Sequence, residues 1–483
     1  MTDMKACLRF IESQMQQIQY NAATASTIAP SQEWLPGYTG PVSGTFTLRG
    51  VSYAPRQAGQ ASPAAYEGLE VQSWAITDTE YLVDAEPARA DHTFAFPSSR
   101  PGRKMFVLHD TRAAATVAVH VPVTGNVRSY LVTPGQPGYG TNFAYQSYLY
   151  DQAMCLIAAI AAGEESTARQ LAGGLLEFQT AAGANAGGFI LSGRQLSPGY
   201  GEPVYRTGAH AIATYALLGY MRAYPGELGR DYEAAARQAL GWLSTQKATA
   251  GPHAGLFRGG EGAYDDGTEI IGCATEHQFD IWHALALAAV VFRGESWLDE
   301  ATALAERIWD VLYDPARQRF YQGYEPDAGP DTGDPLDMHS WAAIWANCCG
   351  RPDVADAVLD EAALKPFRVV QGAVAGFAPQ YAADPSGGYR GATPTIWSEG
   401  TFFTAYALAR LGRTADAEAI IAGIDPAQQE DGSFAYCSVP DPVYEMTSSR
   451  CVIGPAWAIL ANLGTGIWQE QPPAGYPDRD PAG

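Results

Sequence analysis

The sequence predicts a mostly α-helical protein: an (α/α)6 toroid, or six-hairpin barrel, with a β-rich domain on its N-terminal side. Two patterns in the 483 residues carry that prediction. Beyond about residue 140, six almost wholly apolar helices recur, each opening on ionisable and aromatic side chains. Most are followed by an amphipathic helix, and a repeat of roughly 50 to 70 residues is the signature of a helical-hairpin array. Between Gly44 and Val132 the apolar residues instead alternate with a period of two, the mark of half-buried strands.

Taken in order, residues 1–35 read as a helical leader, with Ala6–Tyr20 a short Gln-rich amphipathic helix. Residues 36–139 read as a sandwich-like β-rich domain with strands over Thr45–Leu48, Leu69–Ile76, Thr93–Phe96, Met105–Leu108 and Thr116–Val121. Pro134–Gly138 reads as a linker. The toroid takes residues 140–470 and a tail the last residues, 471–483. Its inner helices are expected over Ala153–Ala162, Ala209–Arg222, Thr275–Val291, Ser340–Cys349, Thr401–Leu411 and Val452–Leu463. Covering helices are expected over Glu165–Ala181, Asp231–Gln246, Trp297–Leu312 and Thr414–Gly423. The third inner helix sets the pattern: Thr275 is placed to cap it, and Glu276 and Asp280 favour its positive end. From Phe279 onward it is too apolar for a surface helix. An open solenoid would leave such helices with a wetted apolar face, so closure into a ring is expected.

Composition removes several functional classes. With 52 acidic against 30 basic residues, a net charge of −22 argues against nucleic acid, whose phosphates need a basic surface. No apolar run reaches the roughly 18 to 20 residues of a membrane span, and Met1–Lys5 does not open a secretory signal, so synthesis as a soluble cytoplasmic product is expected. Seven cysteines without a Cys-x-x-Cys pair read as reduced thiols. Gly-x-Ser-x-Gly and the Gly-rich phosphate and dinucleotide loops are absent, so no cofactor is expected. The acidic loops Glu261–Asp265 and Asp331–Asp337 read as solvated rather than metal-binding.

In a toroid the N-terminal ends of the inner helices meet on one face. Here those ends deliver Asp151, Arg206, Glu276, His277, Asp280, Asp337, His339, Glu399 and Arg450, with Tyr148, Tyr150, Tyr205, Trp341 and Trp397 among them. A single carboxylate in a first helical turn is ordinarily a dipole effect, and His283, deep in an apolar run, reads as a core residue. Repetition changes the balance, because helix caps do not need an aromatic neighbour. Aromatic faces for sugar rings, with carboxylates and arginines for hydroxyls, suit a carbohydrate.

The residues that carry a family likeness are Tyr150-Asp151-Gln152, Ala274-Thr275-Glu276-His277-Gln278-Phe279-Asp280, Leu336-Asp337-Met338-His339-Ser340-Trp341 and Trp397-Ser398-Glu399-Gly400-Thr401. In this arrangement the chain resembles the six-hairpin glycosidase superfamily, and most closely its bacterial members with Thr-Glu-His-Asn-x-Asp, Gln278 standing here for the Asn. The likeness covers residues 140–465. The Asp-Ala-Gly-Asp motif of family 9 endoglucanases is absent. Ser398-Glu399-Gly400 is similar to the Ser-Glu-Gly of family 8 but opens the fifth inner helix, not the start of the barrel.

The expected activity is hydrolysis of a glycosidic bond in a β-glucan or bacterial exopolysaccharide. Glu276 is the expected general acid, Asp337 or Glu399 the base, and Asp151 a sugar-binding or alternative base carboxylate. His277, Asp280, Arg206, His339, Trp341, Trp397, Tyr150, Tyr205 and Arg450 are the expected substrate contacts. Inversion is the expected outcome. Two rivals stand beside this reading: a lyase or sugar epimerase on the same toroid, using His277, His339 or tyrosines as base, and a glycan-binding module without catalysis. The β-rich leader suits an intracellular glycosidase or a virion-associated depolymerase, and the partners expected besides the carbohydrate are a phage virion or further copies of the chain in a homo-oligomer.

Overall fold

The computed structural model describes residues 2–15, 26–31, 39–48, 67–76, 81–100, 103–112, 115–120, 125–133, 136–137, 143, 146–194, 204–225, 230–263, 267, 269–384 and 386–468. Most of the expected linker at Pro134–Gly138, residues 16–20 of the expected first helix, part of the Glu261–Asp265 loop and the tail at 471–483 lie outside the described residues. The chain divides into two compact units: Met15–Thr124, and Met1–Gln14 together with Gly125–Gly483.

The first unit is built from two antiparallel sheets. One joins Thr27–Pro30, Val42–Thr47 and Thr93–Phe96, and the other runs Tyr81–Pro87, Leu69–Ile76, Arg103–Asp110, Ala115–His120. Val42, Phe46, Phe94 and Phe96 from one sheet and Val71, Phe106, Leu108 and Val117 from the other share one buried cluster. The period of two puts those residues on a common face of each strand. Thr27–Pro30 and Tyr81–Pro87 escape the sequence pattern, and the first is a strand where a helical leader is expected.

The second unit is an (α/α)6 toroid. Its helices are α1 (Met4–Met15), α2 (Leu149–Ala162), α3 (Glu165–Leu176), α4 (Thr207–Ala223), α5 (Arg230–Thr245), α6 (Thr275–Val291), α7 (Trp297–Val311), α8 (Leu336–Cys348), α9 (Pro352–Val358), α10 (Glu361–Leu364), α11 (Ser398–Arg410), α12 (Thr414–Ile424) and α13 (Ile453–Leu463). Helices α2, α4, α6, α8, α11 and α13 pack each against the next, and α13 returns to α2, closing the inner ring. Their side chains are buried almost throughout, as the absence of a polar stripe requires. The covering helices α3, α5, α7, α9 and α12 follow α2, α4, α6, α8 and α11.

α13 has no covering helix after it among the described residues, and α1 stands in the outer layer instead. The residue before it, Asp3, has its N–H on Gln428 Oε1 at 2.9 Å, just beyond α12, and near its other end Glu12 accepts from Thr167 Oγ1 of α3 at 2.7 Å. Ala6, Cys7, Phe10 and Ile11 form its buried face at helical spacing. Gly432, at φ +90°, lies where a Cβ would stand 2.2 Å from the Ala6 backbone, so that crossing needs glycine. The first fourteen residues of the expected leader are thus a structural part of the toroid, whereas Thr27–Pro30 belongs to the β-rich unit.

The chain also fills its own ring. After Gly464, at φ +63°, the backbone turns back and buries Ile467 and Trp468. Trp468 N–H donates to the Tyr215 hydroxyl at 2.9 Å, and its indole lies 4.7 Å from Trp341 and 5.5 Å from His283 between ring centroids. His283 is a core residue, as its place in the apolar run indicated. All seven cysteines are free and buried.

Candidate active site

The N-terminal ends of the inner helices surround a cavity of about 470 Å³. Tyr150, Gly208, Glu276, Asp337 and Glu399 are each the second residue of their inner helix, and all five line it. Asp280, Trp341 and Phe403, four residues further along their helices, line it as well, because positions i and i+4 share a face. Arg206 and Trp397, each the residue before its helix, complete the rim.

The fourth residue of these helices points away from the cavity. Gln152 accepts from Val127 N–H and donates to the Leu171 carbonyl, both at 2.8 Å; His210 binds Phe189 N–H and the Ala239 carbonyl; Gln278 binds the N–H and carbonyl of Phe257, both at 2.8 Å. Thr401 Oγ1 accepts from Phe377 N–H at 2.9 Å. These side chains satisfy backbone groups of the outer layer and its loops, which burial would otherwise leave orphaned.

His339 belongs to this outward set, which corrects its expected substrate contact. Its Nδ1 meets the Val358 carbonyl of α9 at 2.7 Å and its Nε2 meets Asp334 at 3.0 Å. Asp334 also accepts from Arg319 and the Tyr381 hydroxyl, each at 2.9 Å, so this cluster ties the start of α8 to its neighbours. Two further expected contacts lie elsewhere. Tyr205 is buried against Trp242 with its hydroxyl on Thr180 at 2.8 Å, and Arg450 pairs with Asp431 at 2.7 Å. Thr275 does not cap α6: it is the first helical residue, and its hydroxyl donates to the Tyr321 carbonyl at 2.6 Å.

The carboxyl groups differ in environment. Glu276 and Asp337, on adjacent helices, share a hydrogen bond, and burial together with the Glu276 charge drives Asp337 well above the usual carboxylate range. Burial, then Glu276, does the same to Asp280, although the Trp341 indole N–H donates to it at 3.0 Å. Glu399, 6% exposed, is pushed up to about 8 by burial and by Asp151, against the opposing hydrogen bonds from the Tyr150 and Tyr436 hydroxyls. Asp151, whose charge acts on Glu399, is not part of the cavity lining. Burial raises it to about 7 despite a bond from Ser129, and its Oδ2 has no partner among the described residues.

His277 is held in one tautomer. The Thr207 hydroxyl gives its hydrogen to the Arg258 carbonyl at 2.9 Å, so it accepts from His277 Nδ1–H at 3.1 Å. Nε2 is left with its lone pair, 3.6 Å from Glu276 Oε1. Burial and the nearby Arg206 depress the imidazole to about 3, so it is neutral. Gly208 makes room for the ring: a Cβ there would stand 2.2 Å from His277 Cδ2. Gly400 does the same for the Trp397 indole, again at 2.2 Å.

Sequence reasoning missed Tyr436, Gln380, Phe403 and Met446, all of which line the cavity. Phe403 had a signal, four residues after Glu399 on the same helix. The other three come from connecting segments, where no period marks them. The indole N–H of Trp397 and the Gln380 amide are buried with no partner among the described residues. Also among the described residues, no helix is long and apolar enough to cross a membrane.

No protein-family model matches the sequence, and no curated protein matches it. Solved structures resemble it in fold. A cellobiose 2-epimerase from Bacillus thermoamylovorans B4167 superposes with a TM-score of 0.51 at 10% identity, covering 70% of this chain and 92% of the other. Two glycosidase structures, each a glutamate-to-alanine variant and one in complex with glucose, reach 0.51 and 0.50 at 13% identity, covering 71% and 93%. A sugar epimerase from a ruminal bacterium reaches 0.50 at 10% identity, also covering 71% and 93%. What these chains share with this one is the six-hairpin (α/α)6 toroid.

Proposed function

We propose that the chain is a glycoside hydrolase that cleaves a poly- or oligosaccharide, a β-glucan or bacterial exopolysaccharide, with inversion. The observation that carries this reading is the set of carboxyl groups facing one cavity from three inner helices. Glu276 and Asp337 are hydrogen-bonded to each other and stand too close to flank a sugar as acid and base. Glu276 and Glu399 lie on α6 and α11, which are not neighbours in the ring because α8 stands between them, the arrangement that an inverting pair with water between its carboxyls requires.

The environments support a division of roles. Glu399 keeps its proton at neutral pH and is the general acid for the leaving oxygen. Glu276, whose side chain is 36% exposed, is the base that activates water, supported by Asp337. This exchanges the expected acid, Glu276, with Glu399, one of the two expected bases, because depth of burial is not legible from a motif. The unpartnered Trp397 and Gln380 donors suit sugar hydroxyls, and the cavity size suits a short saccharide segment.

Epimerisation is the second reading, favoured by the bare Nε2 of His277. Two-sided proton transfer needs a second group of matched basicity. His277 is the one histidine among the described residues that lines the cavity.

The test is reducing-end release from β-glucans, cellulose derivatives and bacterial exopolysaccharides, with ultraviolet absorbance and epimer formation followed in parallel. Glu399→Gln should lose about 10²- to 10⁴-fold on native glycosides but recover on substrates with a leaving group that needs no proton. Glu276→Gln should not recover. Growth of unsaturated-product absorbance, or epimer without new reducing ends, rejects hydrolysis.

A further inference from the structure

A second groove, of about 440 Å³, lies on the outer side of α11. One wall is the hairpin Arg368–Gln371/Val374–Phe377, in which Arg368 pairs with Phe377 and Val370 with Ala375. Paired residues of an antiparallel ladder share a face, and so do residues two apart, so these four project to one side. The other wall is a stripe of α12 formed by Asp416, Ala419, Ile420 and Gly423, at helical spacing. The groove exists because small residues line it. Ala375 and Gly423 approach closely at one place, and Ala419 leaves the rest open.

Its floor is apolar: Leu364 and Phe377 are each 7% exposed and Leu408 is 1% exposed. Its rim is basic. Arg413 is held by Asp416 and the Leu359 carbonyl, both at 2.8 Å, but Lys365 and Arg368 make no ion pair or side-chain hydrogen bond among the described residues. Val370, 65% exposed on the same hairpin face as Arg368, extends the apolar surface outward from them.

The geometry points to a binding site for a small amphiphilic anion, with its acid group on Lys365 and Arg368 and its apolar body on Leu364, Phe377 and Leu408. Charge complementarity selects the acid group and the floor selects the body. Isothermal titration with octanoate as probe tests this, with octanamide (the same chain without charge) and acetate (the charge without the chain) alongside. Octanoate should bind at least tenfold more tightly than either. The double variant Lys365→Ala/Arg368→Ala should weaken it at least tenfold, and Ala419→Phe, which fills the groove from an exposed position, should abolish binding at unchanged melting temperature. Equal affinity for octanoate and octanamide, indifference to the double variant, or no binding of octanoate each overturns the site. None of these outcomes depends on the glycosidase reading.

Discussion

The indole N–H of Trp341 donates to Asp280 at 3.0 Å, joining the sixth residue of α8 to the sixth residue of α6 inside the cavity. The bond holds a buried carboxyl that burial and Glu276 already disfavour in its charged form. The same indole packs edge-on against Phe403 and Trp468, with centroids 4.5 and 4.7 Å away. Trp341→Phe keeps most of the packing and removes the donor, so Asp280 becomes a less well satisfied buried group. A stability loss of about 1–3 kcal/mol is expected, together with weaker substrate binding. Denaturant unfolding indistinguishable from wild type would show that the bond contributes nothing.

Gly208 lines the cavity and Gly400 lies beside it on α11, and at each a neighbouring ring occupies the space of a side chain. Gly208→Ala must displace His277 from Thr207, and Gly400→Ala must displace Trp397. Since the displaced groups are side chains facing a cavity, activity should suffer more than folding: at least tenfold in kcat/KM with a melting temperature near that of wild type. Steady-state kinetics and thermal unfolding on the same preparations decide between this and a purely structural role.

The second-fourth-sixth rule of the inner helices explains which parts of the site were legible. Glu276, Asp337 and Glu399 could be found because a helix start is visible in the sequence and its second residue faces inward. Asp280 and Trp341 follow from the helical period. His339 looked the same as His277 in composition, yet one residue of register turns it from the third position, beside the cavity, to the fourth, against α9. Tyr436 and Gln380 were illegible because loop residues reach the site by tertiary packing alone. The closure of the ring by α1 and the return of Trp468 were hidden for the same reason: nothing local tells a helix near one terminus, or a Trp near the other, which neighbours it will meet.

The alkaline side of the pH–activity profile should report Glu399. As the proposed acid it works protonated, so activity should fall as pH rises through about 8. The Tyr150 hydroxyl stabilises the carboxylate, so Tyr150→Phe should move this limb upward. The Asp151 charge destabilises it, so Asp151→Asn should move the limb downward, each by roughly one pH unit. Shifts of kcat/KM in the same direction for both variants would be incompatible with Glu399 as the titrating acid.

The same groups set a pH window for stability. Glu399 and Asp151 have folded values raised to about 8 and about 7, so their contribution is complete when both folded and unfolded forms are protonated and is lost as pH rises through those values. Asp280 and Asp337, raised as well, act with the same sign. His210 and His277, both depressed to about 3, work the other way, but their contribution is complete above the unfolded value of 6.5. Asp334, lowered to about 2, has reached its full contribution above 3.8. Between pH 6.5 and 8 only the raised carboxyls therefore titrate, and the melting temperature should fall as pH rises. Each group contributes at most about 1.4 kcal/mol per pH unit. Asp151→Asn, which removes one titrating group and relieves Glu399, should flatten that slope in calorimetric scans, whereas a slope equal to wild type would mean that the Asp151 carboxyl is ionised in the folded protein throughout.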